Sequence, residues 1–529
     1  NWILPQVYAN EFAYKPPLAH WLMAVASLPQ GYVSEFTSRL PSALAFIILI
    51  GFTLVFFGKR LRFQQAFIAT LLLITCIEIH RAAMTTRVDM LLTTFIVIGL
   101  YQLYRWEDKL ELKGVPIAIP ALLGCAVLTK GPVGIILPLF VFGVYLLMLR
   151  KYSYLVIFKT LLYAGISSIF LPLLWYVAAW KQGGDAFLNV VLAENFGRFF
   201  HLSTPDIHYN LGHENGVWYN FMTLAAGFVP WTIFFFFSLF GLKLHKSEKS
   251  VKEILADTWN NIRSMEKEKL FSLVALVCII FFYSIPSSKR SVYLMPAYPF
   301  IAIFLAQYTL YITEYRTKVT RVFAAFMASI TAVVVIAVGA IVPARIASQY
   351  TSRQSTLEMV ELVSNMFAYP CGLTICILIV LLAILATVYY QMFKKINIKI
   401  LYATIALAFA INLLIDGVVM RGIRQGSSAR PFAEQVQKEY PLDDMNMYVM
   451  NDLKTYANLY GLNFYLGNKF HNFGQEQPVS GFFFCTVKDL ETVQKNYGDK
   501  YTFSLLTSTK NVIADVRQRI VLCSFLRNE

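Results

Sequence analysis

Apolar stretches long enough to cross a bilayer recur from residue 39 to residue 418, and no water-soluble core can absorb that many. They occupy 39–58, 64–83, 88–106, 115–130, 132–149, 157–178, 218–240, 270–287, 291–312, 321–344, 370–392 and 400–418. At roughly 16 to 24 residues each, they reach or nearly reach the ~30 Å of hydrocarbon that a spanning helix must cover. Composition agrees, with 57% hydrophobic residues, 15% charged residues and a mean hydropathy of +0.55. The expected fold is an all-α polytopic membrane protein of about twelve transmembrane helices. A net charge of +15 would direct a soluble protein toward nucleic acid. Here the cations are read by the side of the bilayer they occupy, and no nucleic-acid partner is expected. Of the seven cysteines, Cys76, Cys125, Cys278, Cys371 and Cys376 lie in apolar stretches, and none has metal-ligand spacing. The chain shows no signal peptide and opens at Asn1 with loop-like polarity, so upstream residues and about thirteen spans are expected in the full protein.

The short lysine- and arginine-rich connections set the topology. Lys59-Arg60-Leu61-Arg62, 105–113, Arg150-Lys151, 243–269, 315–318 and 394–399 alternate along the chain, which places them on the cytoplasmic side. Residues 243–269 read most simply as a solvated helix on that inner face. The start of the chain, the 182–216 loop, the 345–369 loop and everything after about residue 420 then face outward. This gives three parts: 1–38, the rest of a first outer loop with juxtamembrane helices; 39–420, the membrane domain; and 421–529, a small outer, periplasmic α/β cap. In the cap, 447–450, 481–486, 501–506 and 520–525 read as strands, with helices over 454–466 and 487–497. Cys485 and Cys523 both fall in these strands, either as a disulfide in an oxidising compartment or as two buried thiols.

A second set of charges breaks the apolar stretches at their outer ends: His80-Arg81, Arg87, Asp89, Lys130, Lys181, Arg198, Lys289-Arg290, and Arg421, Arg424 and Arg430. One such charge in lipid costs roughly 2.5–3.5 kcal/mol on insertion scales, so their recurrence at one depth suggests a shared polar cavity, with snorkelling at helix ends explaining others such as Lys181. Lys15 precedes Pro16-Pro17, a pair that fixes two φ angles and forbids helix before it. Lys130 is followed at once by Gly131-Pro132, and Ser288-Lys289-Arg290-Ser291-Val292-Tyr293-Leu294-Met295-Pro296 divides another pair of stretches. Arg87-Val88-Asp89 sets opposite charges where a helix re-enters the membrane. Cations on the face opposite the basic loops imply an anion arriving from outside. An apolar surround implies that the anion carries a lipid tail, and a polyprenyl phosphate meets both demands.

Five stretches together resemble the GT-C membrane glycosyltransferases of the protein O-mannosyltransferase type, most closely the bacterial branch that includes the aminoarabinose (lipid A) transferase. They are Tyr14-Lys15-Pro16-Pro17-Leu18, Arg87-Val88-Asp89-Met90-Leu91, Leu128-Thr129-Lys130-Gly131-Pro132, Glu194-Asn195-Phe196-Gly197-Arg198-Phe199 with His213-Glu214, and the 288–296 stretch. The match covers residues 1 to about 310 well. The resemblance implies an inverting transfer of one sugar from an undecaprenyl-phosphate carrier to a periplasmic lipid, glycan or protein acceptor. It implies a carrier-phosphate site made by Lys15, Lys130, Arg198, Lys289 and Tyr293. Asp89 is implied to orient these cations or contact the sugar, with further acceptor or sugar contacts from Tyr14, Arg87, His213 and Glu214. His213-Glu214 reads equally as a helix-entry cap beside Trp218. The family's general base, a carboxylate of the first outer loop, is expected upstream of Asn1. Relatives often carry Glu where this chain has Tyr14, which leaves any metal role of that position open; no metal ligand is assigned. Rival readings are a flippase for a lipid-linked anion, expected to show repeated halves with interrupted helices, an oligosaccharide ligase with a large outer loop, and a non-catalytic scaffold.

Overall fold

The structure is a computed structural model that describes residues 2–7, 11–12, 15–110, 114–192, 215–240, 249–286, 288–339, 371–421, 427–442, 446–450 and 456–528. Every backbone amide in hydrocarbon must find its partner within the chain, so each apolar stretch closes its own ladder as a helix. A two-residue hairpin, β1 (Gln6–Val7) and β2 (Glu11–Phe12), leads to α1 (Leu18–Ser27). The first half of the membrane domain follows as α2 (Glu35–Gly58), α3 (Phe63–Thr75), α4 (Ile77–Ala83), α5 (Val88–Glu107), α6 (Ala118–Lys130), α7 (Val133–Leu149) and α8 (Tyr154–Leu192). The second half comprises α9 (Trp218–Gly227), α10 (Trp231–Leu239), α11 (Val251–Arg263), α12 (Lys267–Ser284), a 3-10 helix at Ser291–Ala297, α13 (Tyr298–Tyr315), α14 (Thr317–Gly339), α15 (Cys371–Lys394) and α16 (Asn397–Leu414). Each apolar stretch read from the sequence carries a helix in its described part, so the chain is a multi-pass membrane protein. Among the described residues, six helices pass on length and apolarity alone, and two bent pairs raise this to eight; α6 and α7 are shorter apolar helices. The chain stays helical to Leu192, past the expected loop start at 182, with Gly184 taking φ 60° at a break inside α8.

Two stretches expected to be continuous are broken. The 64–83 stretch bends by 65° between α3 and α4, and the 218–240 stretch by 103° between α9 and α10. Each break frees backbone groups that lipid cannot satisfy, and the two breaks satisfy each other. The Ile77 N–H donates to the Val229 carbonyl at 3.2 Å, the Asn412 amide of α16 donates to the Thr75 carbonyl at 3.2 Å, and the Trp231 indole donates to the Thr75 hydroxyl at 2.8 Å. These bends turn α4 across the end of the bundle, where it packs against α5, α9 and the 3-10 helix.

Between the helices an aromatic core stacks Phe56 on Tyr101 at 4.1 Å and sets Phe271 edge-on to Phe300 at 5.8 Å. At the end of the bundle that carries the basic loops, the Glu107 carboxylate is almost fully buried. It accepts from the Tyr152 hydroxyl at 2.9 Å and pairs with Lys151 at 3.3 Å and Lys267 at 3.4 Å. Three connections are thereby tied to one carboxylate.

The cap begins with α17 (Arg430–Glu439) and continues through β3 (Met447–Val449), α18 (Tyr460–Tyr465), β4 (Phe470–Asn472), α19 (Phe473–Glu476), β5 (Ser480–Thr486), α20 (Val487–Tyr497), β6 (Tyr501–Ser508) and β7 (Ile520–Arg527). Its sheet runs β4-β3-β5-β7-β6, parallel in the first two pairings and antiparallel in the last two. Alternate residues of β5 feed opposite faces: Phe482 and Phe484 pack under α17 and α18, while Phe483 and Cys485 pack with Val493 of α20. The four expected strands and the 487–497 helix are present. β4 and α17 escape the sequence pattern because one is three residues long and the other is mostly polar. Cys485 and Cys523 are free thiols. Cys523 lies opposite Phe483 in the β5–β7 register, so the two cysteines are diagonal neighbours, and the diagonal of a sheet, ~7–8 Å, exceeds disulfide reach.

Candidate functional site

At the end of the bundle away from the basic loops, three helix termini bring charge together. α6 ends on Lys130, and Gly131, at φ 96°, turns the chain in a conformation that a side chain would strain. Gly134 then packs directly on the α6 backbone, where an added Cβ would lie 2.5 Å from the Ala126 carbonyl carbon. The Lys130 ammonium is thereby fixed, paired with Asp89 in the first turn of α5. It also lies 4.1 Å from the centroid of the Tyr293 ring, which the 3-10 helix presents. Tyr283, at the end of α12, packs its ring 5.6 Å from that of Tyr293. Lys130 and Asp89 are 19% and 13% exposed, an accessible but largely desolvated pair. Such a pair is held by geometry, because the Coulombic gain is offset by the cost of removing both ions from water.

Lys15 reaches this pair from the start of the chain. Pro16 and Pro17 are buried, and Pro17 leads directly into α1, where the Trp21 N–H donates to the Pro17 carbonyl at 2.8 Å. The neighbouring strand is pinned by two indoles: Trp21 donates to the Trp2 carbonyl at 2.7 Å and Trp175 of α8 to the Ile3 carbonyl at 2.7 Å. Leu4, Leu128, Trp175 and Phe187 form a small separate core beneath. Leu18, just after the Lys15 turn, packs against this core, whose Leu128 lies two residues before Lys130. The charges of Lys15 and Arg87 both act on the Asp89 carboxylate, so Lys15, Arg87, Asp89, Lys130 and Tyr293 make one cluster.

The remaining expected site residues divide. Lys289 is 4% exposed, and its ammonium donates to the carbonyls of Pro286 at 2.6 Å and Asn215 at 3.1 Å. Asn215 returns a bond to the Lys289 carbonyl at 3.2 Å. This clasp holds the 215 segment against the 286–289 turn. Tyr14, Arg198, His213 and Glu214 lie outside the described residues. Other rim side chains are engaged in pairs: His80 with Asp416 at 2.5 Å, Arg81 with Glu78 at 2.7 Å, and Arg430 with Glu434 at 2.8 Å. Among the described residues, these paired side chains do not share one polar hollow with Lys130. An apolar cavity of about 660 Å³ lined by Leu22, Leu44, Leu91, Phe95 and Leu122 lies among α1, α2, α5 and α6. On α5 its wall runs from Leu91 to Gln102, on the side of the helix away from Asp89 at the ~100° step of a helix. A second apolar cavity of about 470 Å³ lies between Phe221, Phe228, Phe235 and Phe304. No group of acidic, histidine or cysteine side chains suited to a metal ion occurs among the described residues.

Tyr283, Trp175 and the His80–Asp416 pair were not found from sequence. Tyr283 sits inside an apolar run and Asp416 lies 336 residues from its partner; no local pattern marks either.

Known proteins bear out the resemblance. Residues 14–180 match the family model described as dolichyl-phosphate-mannose-protein mannosyltransferase. An uncharacterised protein of Aquifex aeolicus is 27% identical over 309 residues, 58% of this chain and 55% of its own length. The undecaprenyl phosphate-alpha-4-amino-4-deoxy-L-arabinose arabinosyl transferase 2 of Proteus mirabilis is 22% identical over 315 residues, again 58% of this chain and 52% of that one. The chain thus spans about half the length of the curated relatives it matches. The crystal structure of ArnT from Cupriavidus metallidurans bound to undecaprenyl phosphate superposes with a TM-score of 0.65 at 16% identity, covering 99% of this chain and 90% of that one. The fold is that of a GT-C membrane glycosyltransferase.

Proposed function

We propose that this protein transfers a single sugar from an undecaprenyl-phosphate carrier to a lipid, glycan or protein acceptor on the outer, periplasmic face of the bacterial inner membrane. The observation that carries this reading is the Lys130–Asp89–Tyr293 cluster, a cation held at a largely desolvated helix end within an apolar bundle. The carrier phosphate belongs against Lys130 and Lys15, and the lipid tail belongs along the apolar surface of the helical bundle. In the reaction the bond between the anomeric carbon and the phosphate oxygen breaks and its electrons leave with the phosphate. A new bond forms from the acceptor oxygen to the opposite face of that carbon, giving inversion, and a hydroxyl acceptor gives its proton to the general base. The phosphate gains charge as it leaves, and Lys130 meets that charge where little water screens it. Asp89 keeps the ammonium aimed at it, and the Tyr293 ring supports the ammonium from the other side. Arg198 belongs to the same phosphate site, where a guanidinium can hold two oxygens at once. Tyr14, Arg87, His213 and Glu214 are assigned to the sugar or acceptor. Lys289 shapes this site through its backbone clasp, and the general base is left unassigned.

A flippase for a lipid-linked anion has one observation in its favour, the two interrupted spans. Their breaks are closed by Asn412, Trp231 and each other, and so offer no exposed backbone to a passing substrate. Proteoliposomes holding the full protein, a labelled undecaprenyl-phosphate sugar and lipid A separate the readings. Transfer predicts an acceptor heavier by one sugar in the mass spectrum, and Lys130→Ala lowers its rate by about 100-fold or more while the protein still folds. Movement of the donor between leaflets with no heavier product would refute the enzyme reading.

A further inference from the structure

We propose that α11 is an in-plane membrane anchor, its apolar stripe seated in the lipid surface at the end of the bundle opposite Lys130. This replaces the solvated helix expected from the charged composition of 243–269. At the ~100° step of a helix, Val251, Ile254, Leu255, Thr258, Trp259 and Ile262 fall within an arc of roughly 140°, while Glu253, Asp257 and Asn260 occupy the far side. The protein leaves this stripe bare: Val251 is 73% exposed, Leu255 64% and Trp259 46%, and α11 buries no residue. Its position decides what covers it. Ile262 and Met265, at its C-terminal end, pack on the core of the membrane domain. Lys267, just beyond, pairs with Glu107 and Asp108 at the end of α5. The helix therefore leaves the bundle where the spanning helices end and extends about 20 Å from that point.

Charge favours phospholipid over water or a second copy. The two acids of the helix are engaged locally, Glu253 accepting from the Ser250 N–H at 2.8 Å in a capping box and Asp257 pairing with Lys249 at 2.6 Å. Lys252 and Arg263 lie on the border of the stripe beside Trp259, where basic side chains can reach phosphate headgroups while the indole rests at the interface. The inference is independent of the proposed reaction and needs only the membrane topology.

It is tested on the full protein in vesicles of zwitterionic phospholipid with a minority of phosphatidylglycerol, comparing tryptophan emission with that of Trp259→Phe. The difference isolates Trp259. Brominated lipid is expected to cause about a twofold loss of this difference emission, and acrylamide in the water little. With Leu255→Glu in both members of the comparison, the sensitivity should pass from brominated lipid to acrylamide. A difference emission quenched by acrylamide alone shows a solvated helix. One quenched by neither shows a surface covered by protein. Either result overturns the proposal.

Discussion

At the scale of single residues, the informative feature is how Lys130 is held, by a carboxylate on one side and an aromatic face on the other. The two supports can be separated. Tyr293→Phe keeps the ring under the ammonium and removes only the hydroxyl; Tyr293→Ala removes both. If the ring is the working part, Phe should retain activity within a few-fold. Ala should lose roughly 5- to 30-fold, the equivalent of the ~1–2 kcal/mol a desolvated cation–π contact contributes. Initial rates with saturating donor measure this, and equal losses in both variants would move the role to the hydroxyl. Lys130 and the Lys15 turn were legible in the sequence because each is a charge beside a helix breaker in apolar surroundings, and Asp89 because it stands with Arg87 where an apolar stretch begins. The state of Lys289 was not. Two backbone carbonyls occupy its ammonium, and carbonyl partners leave no mark in a sequence. Nor does the seat of Lys15, which depends on Trp175 meeting Ile3 across 172 residues.

At the scale of elements, the helices were readable and their breaks were not. Hydropathy reports where apolar residues lie, and both sides of each break are equally apolar. The break between α3 and α4 survives because Asn412 and Val229 take over the groups it frees. Asn412→Leu should leave the Thr75 carbonyl buried without that donor, costing about 1–3 kcal/mol. A lower thermal midpoint in detergent is the expected outcome, and an unchanged one would show that the bend does not need this bond. In the cap, strand alternation was legible, and it fixes the fate of two thiols. Burial pushes the Cys485 thiol well up from its ordinary value and the Cys523 thiol up to about 11. A raised value keeps both protonated at pH 8, and only the thiolate attacks an alkylating reagent. Peptide mapping after brief iodoacetamide treatment should find both unmodified in the folded protein and both modified after denaturation.

At the scale of the whole molecule, the question is how firmly the cap is joined to the membrane domain. The described contacts converge on Glu35 in the first turn of α2, which accepts from the Tyr465 hydroxyl at 2.9 Å and lies 3.8 Å from Arg430 and 3.2 Å from Arg39. Glu35 is 39% exposed and Arg430 59%, so their pairing is worth about 0–1 kcal/mol and is screened by salt. The Tyr465 hydrogen bond adds about 1 kcal/mol. If these contacts carry the junction, weakening them frees the cap to lift from α2. Because α2 continues from the α1 turn that carries Lys15, through Ser27 bonded to Thr37 at 2.8 Å, a lifting cap pulls on the chain nearest the charged cluster. Hydrogen exchange should therefore quicken in the first turn of α2 and in α18 when ionic strength rises from low to about 0.5 M, where screening acts within a few ångströms. Glu35→Gln should produce the same quickening at low salt and remove most of the salt dependence. If exchange in both segments is indifferent to salt and to this substitution, the cap is fixed by contacts other than Glu35, and the charged cluster is shielded from its motion.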